Sequence, residues 1–298
     1  MRKWIRISLA LAGVSLAACG SSTVSKAAAS NVNSKSQKAA PTRVFPIPSG
    51  AISGTSPMPN GTLWVLAGNS SSKGIFQINL ATGKVVASVS VSNAASAIAQ
   101  SQTGDIGLGV ATPSGGGAIE FYNGRSGGLI SAVPLSGGVV ALCAGSDGKT
   151  FYVLTQVGSA MSVSAVDDTS DKVISTVAAP GGAVSIAVTP SEKHVYVAQP
   201  SGIASELTTS SGQIDGQFPV GHSAHFIAMS NDGSTLYVLK GQDPIRNVAV
   251  VDLATESVRK VLPAAGSSVG VSLSPDDSQL YDIVGNASYG NIQVFKLS

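Results

Sequence analysis

The chain has 298 residues, of which 43% are hydrophobic, 11% charged and 5% aromatic, and its formal net charge is +2. That sign misleads, because the positive residues crowd the first 43 positions and residues 44–298 carry 11 Lys and Arg against 16 Asp and Glu. A weakly acidic body excludes nucleic-acid binding by charge, and so few rings argue against a sugar-stacking surface or a single-strand platform.

In chain order, residues 1–18 read as an export signal: Arg2, Lys3 and Arg6, then an apolar stretch over 7–16 that is too short to span a bilayer. It ends in Leu16, Ala17, Ala18 and Cys19, which looks like a bacterial lipobox. That resemblance implies a diacylglyceryl thioether on Cys19, cleavage before it and acylation of the new amine. The partner it implies is membrane lipid, held through Cys19, with the protein exported to the cell envelope. The alternative is an ordinary Ala-x-Ala cleavage site with Cys19 incidental. Gly20 in place of Asp points, by the same analogy, to the outer membrane in a two-membrane cell. Residues 19–42 are Ser, Ala, Asn and Lys with almost no large apolar side chain, a flexible tether with a reach on the order of 25 Å.

From residue 43 the chain repeats. Trp64, Gly107, Tyr152, Tyr196, Tyr237 and Tyr281 recur at steps of 43, 45, 44, 41 and 44 residues, each in a short turn-then-strand unit. Val85, Leu129, Val173, Ile214 and Val258 keep the same period. A period of about 40–45 residues with several short strands per unit signals a β-propeller blade. The fifth unit shows four strands, over 225–230, 235–240, 247–253 and 258–262, joined by Gly/Ser/Asn/Asp turns. The 34 Gly and 14 Pro are spread along the chain, as many tight turns require.

The segments SNDGSTLYV at 230–238 and SPDDSQLY at 274–281 resemble the YVTN-type β-propeller repeat. The resemblance covers about residues 43–298 and implies an all-β propeller, usually of seven blades; the units counted here give six. The second unit departs most, since Gly107 stands where the others place an aromatic ring, which predicts looser packing in that blade. The last unit is one strand short. Residues 44–47 are expected to supply its outer strand and close the ring, with Pro46 and Pro48 suited to an outermost position. Strand direction then puts the Asp-Gly-type turns on one face, the turn face. The loops into the inner strands lie on the other, the loop face.

Chemistry is sparse. Cys143 is the one thiol left once Cys19 is modified, so no disulfide forms within the chain, and it reads as a small buried core residue. His222, His225, Lys240, Asp243 and Arg246 form the single polar cluster expected on the loop face, a candidate ligand site. Two imidazoles lack the third ligand that a metal needs, and His194 falls on the opposite face. No cofactor is expected and no catalytic residue is assigned. The leading expectation is a monomeric, lipid-anchored binding or scaffold protein for an unknown protein or small molecule. The alternative is a lactonase- or lyase-like propeller enzyme, or a redox-associated subunit, using the His222/His225 face.

Overall fold

A computed structural model describes residues 40–298, apart from 56, 57, 70, 93, 243, 244, 265, 266, 287 and 298. Its strands form six four-stranded antiparallel sheets, and each sheet is one blade. Blade 1 is β2(Ala51–Gly54), β3(Thr62–Gly68), β4(Lys73–Asn79) and β5(Val85–Val91). Blade 2 is β6(Ala95–Gln100), β7(Ile106–Ala111), β8(Gly117–Tyr122) and β9(Leu129–Leu135). Blade 3 is β10(Gly138–Ala144), β11(Thr150–Val157), β12(Ala160–Asp167) and β13(Lys172–Ala179). Blade 4 is β14(Ser185–Val188), β15(His194–Gln199), β16(Ile203–Thr208) and β17(Ile214–Pro219). Blade 5 is β18(Ala224–Met229), β19(Thr235–Gln242), β20(Ile245–Asp252) and β21(Ser257–Ala264). Blade 6 is β22(Ser268–Leu273), β23(Gln279–Gly285) and β24(Gly290–Lys296), completed by β1(Arg43–Ile47). Six blades are therefore present, not the seven the family resemblance implied.

The second strand of each blade is a β-branched or aromatic run that suits a pleated surface buried on both sides; β3 is buried along its whole length. Alternate side chains go to opposite neighbours. The result is six hydrophobic clusters, one between each pair of adjacent blades. Trp64, Tyr152, Tyr196, Tyr237 and Tyr281 each stand in one of the five that carry the recurring ring.

Ring closure follows from β1. It pairs antiparallel with β24, from Arg43 opposite Val294 to Ile47 opposite Gly290. Phe45 and Ile47 turn inward to the cluster shared by blades 6 and 1, beside Leu63 and Ile292. The Arg43 guanidinium donates to the Leu80 carbonyl of blade 1 at 2.9 Å and covers the Phe45 ring at 5.3 Å. Burying two such side chains is worth about 1.5–3 kcal/mol each. Pro46, Pro134, Pro219 and Pro263 all lie in outer strands, where a missing amide costs no ladder bond.

The turn before each second strand needs one residue at positive φ. Gly61, Gly104, Gly148 and Gly233 fill that place in four blades, but Glu192 (φ 57°) and Asp277 (φ 54°) fill it in blades 4 and 6. Both carboxylates reach back to the preceding blade. Glu192 accepts from the Ser146 hydroxyl (2.9 Å), the Asp147 amide (2.6 Å) and the Tyr152 hydroxyl (3.1 Å). Asp277 accepts from the Asn231 amide (2.8 Å) and from its side-chain nitrogen (2.9 Å). A backbone strain of about 1–2 kcal/mol is thus offset by an inter-blade clasp.

The looser second blade expected from Gly107 is not found. Phe151 of blade 3 is fully buried in the blade 2–3 cluster and fills the space in front of Gly107, stacked at 57° against Phe121 with centroids 5.1 Å apart.

Candidate functional site

Of the residues expected to converge on the loop face, Lys240 and Arg246 turn away from each other. Lys240 lies opposite Asn247, and Arg246 opposite Gly241, one residue along the hairpin. Adjacent positions of a strand face opposite ways, so the two side chains leave toward different neighbours. Lys240 turns to blade 4 and donates from Nζ to the Val220 carbonyl at 3.0 Å. Arg246 turns to blade 6, where Nη1 donates to the Ser268 carbonyl at 3.3 Å. His222 is exposed in the segment next to Lys240, whereas His225 is half-buried at the bulge between Ala224 and Phe226. Burial first, and the Arg246 charge second, hold the His225 pKa below its ordinary value, so its imidazole is neutral at neutral pH. Asp243 and Cys19 lie outside the described residues. Among the described residues no three His, Cys, Asp or Glu side chains gather as metal ligands would.

Arg246 instead leads to a residue the sequence reading passed over. Asp282 in β23 is fully buried, and neither carboxylate oxygen has a hydrogen-bond partner. The Ser268 hydroxyl stands beside it outside hydrogen-bonding geometry. Burial pushes the Asp282 carboxyl up to about 7, against the opposing pull of Ser268 and Arg246. The signal was in the repeat. The residue after the ring position is Val65, Leu108, Val153, Val197 and Val238 in five units, and Asp282 in the sixth.

A concavity lies on the other face. A cavity of about 590 Å³ runs along the ring axis at its turn end. All six inner strands wall it, through Gly54, Gln100, Cys143, Val188, Ala228 and Ser272. Six turn residues, one per blade, rim it: Pro59, Gln102, Ser146, Pro190, Asn231 and Pro275. Cys143 stands on this wall, partly exposed but packed against the blade 3–4 cluster; it is free, and burial pushes its thiol up to about 12. It is the one titratable group among the described lining residues. Outside the rim stand turn carboxylates held ionised. Asp232 and Asp276 are pulled down to about 2 by bonds from the hydroxyls of Ser230 and Ser274 and from the amides and hydroxyls of Ser234 and Ser278. Hence the cavity is neutral inside and acidic at its margin. Nothing in the sequence marked it, since small neutral residues on inner strands read alike whether they pack or line a space.

No known family's sequence profile matches the chain, and no curated protein matches it in sequence. Its fold is similar to that of Kuenenia stuttgartiensis hydrazine synthase, with a TM-score of 0.62 at 16% identity over 83% of each chain. It is also similar to the β-propeller domain of Myceliophteria thermophila Cps50 (Swd1), with a TM-score of 0.61 at 11% identity over 86% of this chain and 100% of that one. At such identities the likeness is one of fold alone.

Proposed function

We propose that the chain is a cell-envelope lipoprotein of the YVTN-repeat kind, whose propeller binds a small neutral ligand in its axial cavity without transforming it. The observation that carries this reading is the cavity wall. Acid–base chemistry needs a positioned proton carrier near the working pH. The described lining offers Cys143 alone, shifted far from that range.

The anchor sets the orientation. β1 runs antiparallel to β24, so the chain preceding Arg43 arrives on the turn face, where the cavity also opens. With Cys19 lipidated and a tether reaching on the order of 25 Å, the cavity mouth looks toward the membrane and the loop face away from it. Native mass spectrometry of protein from its own membranes tests the binding. A bound small molecule, lost when Gln102→Trp blocks the rim, supports the reading; an empty cavity in both proteins contradicts it. Mass spectrometry of the mature N-terminal peptide separately tests the acylation of Cys19.

A second reading, catalysis on the loop face, draws on the neutral half-buried His225 beside Arg246. Turnover by the purified protein that disappears in His225→Ala would favour it.

A further inference from the structure

Buried charges in proteins are paired or hold a metal ion, because a carboxylate that leaves water without a partner is strongly disfavoured. Asp282 is fully buried on the blade 5 side of β23, and neither of its oxygens has a hydrogen-bond partner among the described residues. Two more oxygens beside it are in the same condition. Gln293 lies directly opposite Asp282 on β24, so the two side chains share one face of the sheet, and Gln293 Oε1 is buried without a partner. Ser268 lies opposite Val284, two residues along from Asp282 and on that same face, and its Oγ is likewise buried without a partner. Arg246 reaches in from blade 5, but its Nη1 donates to the Ser268 carbonyl at 3.3 Å and the carboxylate receives no bond from it.

We propose that Asp282, Gln293 and Ser268 hold a sodium ion in the seam between blades 5 and 6. The donors are a carboxylate, an amide oxygen and a hydroxyl. An all-oxygen set suits a hard cation and not a metal that seeks thiolate or imidazole. Charge then selects a monovalent ion. The Asp282 carboxylate is offset by the nearby Arg246 guanidinium, so a divalent ion would leave two positive charges in excess at a buried place, and sodium leaves one. The site is confined to blade 6, because the residues equivalent to Asp282 in the other blades are Val65, Leu108, Val153, Val197 and Val238. Gln293 belongs to β24, the strand that β1 joins to close the ring, and Ser268 is the residue that Arg246 of blade 5 clasps. The ion therefore ties the closing blade together at its contact with the preceding one. Proton and sodium compete for the same carboxylate oxygens, so in sodium-free buffer the carboxyl keeps only its proton. Nothing in this inference depends on the lipid anchor or on the axial cavity.

Melting of the full chain in mild detergent at pH 8 tests it, in sodium chloride and in choline chloride at equal ionic strength, so that screening is the same. Sodium raises the midpoint by about 3 °C or more over choline. Asp282→Val removes that gain, and Gln293→Leu, which leaves the carboxyl in place, cuts it by about half or more. Sodium NMR reports the ion directly, as a resonance that the wild-type protein broadens and the Asp282→Val protein does not. Equal midpoints for the wild type in the two salts overturn the proposal. So does a sodium gain that Asp282→Val or Gln293→Leu keeps in full, or a larger gain from calcium chloride at the same ionic strength.

Discussion

Gly107 and Phe151 exchange sizes across the interface of blades 2 and 3. A Cβ on Gly107 would come within 2.9 Å of two Phe151 ring atoms. Elsewhere the large partner sits on the earlier blade, as Tyr152 does against Val195 between blades 3 and 4. Here the ring comes from the later blade and the space from the earlier one, so the interface is full.

This exchange predicts non-additive mutations. Gly107→Tyr alone overpacks the interface and costs about 1–3 kcal/mol or more. Phe151→Val alone leaves a cavity and costs about 2–4 kcal/mol. The double variant restores the arrangement of the next interface, and chemical denaturation should show it less destabilised than the sum by at least about 1 kcal/mol. Strict additivity would mean that the two positions do not share one space.

At Glu192, strain and clasp are predicted to separate. Glu192→Ala removes the acceptor for Ser146, Asp147 and Tyr152 while keeping a side chain at positive φ, and costs about 1–3 kcal/mol. Glu192→Gly loses the same bonds but relieves the backbone. It should be the more stable of the two by about 1 kcal/mol. Equal melting temperatures for the two variants would show that the turn is unstrained.

Asp282 makes stability depend on pH. An unfolded Asp releases its proton near pH 4, whereas the buried one holds it up to about 7. Between those values the native state binds more protons than the unfolded state, so stability falls as pH rises through this window. The loss amounts to at most about 4 kcal/mol by pH 8. Asp282→Val, which installs the side chain that four of the other five blades carry, should match wild type near pH 4 and exceed it increasingly toward pH 8. Parallel stability curves for the two proteins across that range would refute a buried, proton-holding carboxyl.

Cys143 should be slow to react. With its thiol raised from 9.0 to about 12, the thiolate fraction at pH 8 falls about a thousandfold. Alkylation of the native protein, followed by mass spectrometry at Cys143, should be slower than that of the urea-unfolded chain by about that factor. Comparable rates would place the thiol in open solvent.

The period, the four strands of each unit and the closing role of residues 44–47 were legible because local patterns set them: turn residues, β-branched runs and the unit left one strand short. Facts that depend on a neighbouring blade were not legible. Gly107 looked like a defect until Phe151, 44 positions later in the chain, was seen to fill its space. Lys240 and Arg246 looked like one cluster because sequence distance hides which side of the sheet each residue faces; the hairpin register sends them apart. Asp282 could have been found by comparing the units column by column, since it alone breaks an apolar position. Glu192 and Asp277 could have been found the same way, as the two departures from a turn glycine. The axial cavity had no such signal, because small neutral residues on inner strands look the same whether they pack or line a space.

The central claim is a six-bladed ring closed by a strand from the start of the domain, and amide exchange of β1 tests it most directly. The account predicts that the amides of Phe45 and Ile47, on the side facing β24, exchange as slowly as those of β24 itself, and that both lose protection together on unfolding. Fast exchange across 43–47 beside a protected β22, β23 and β24 would contradict it, leaving the sixth blade open and the ring without its closure.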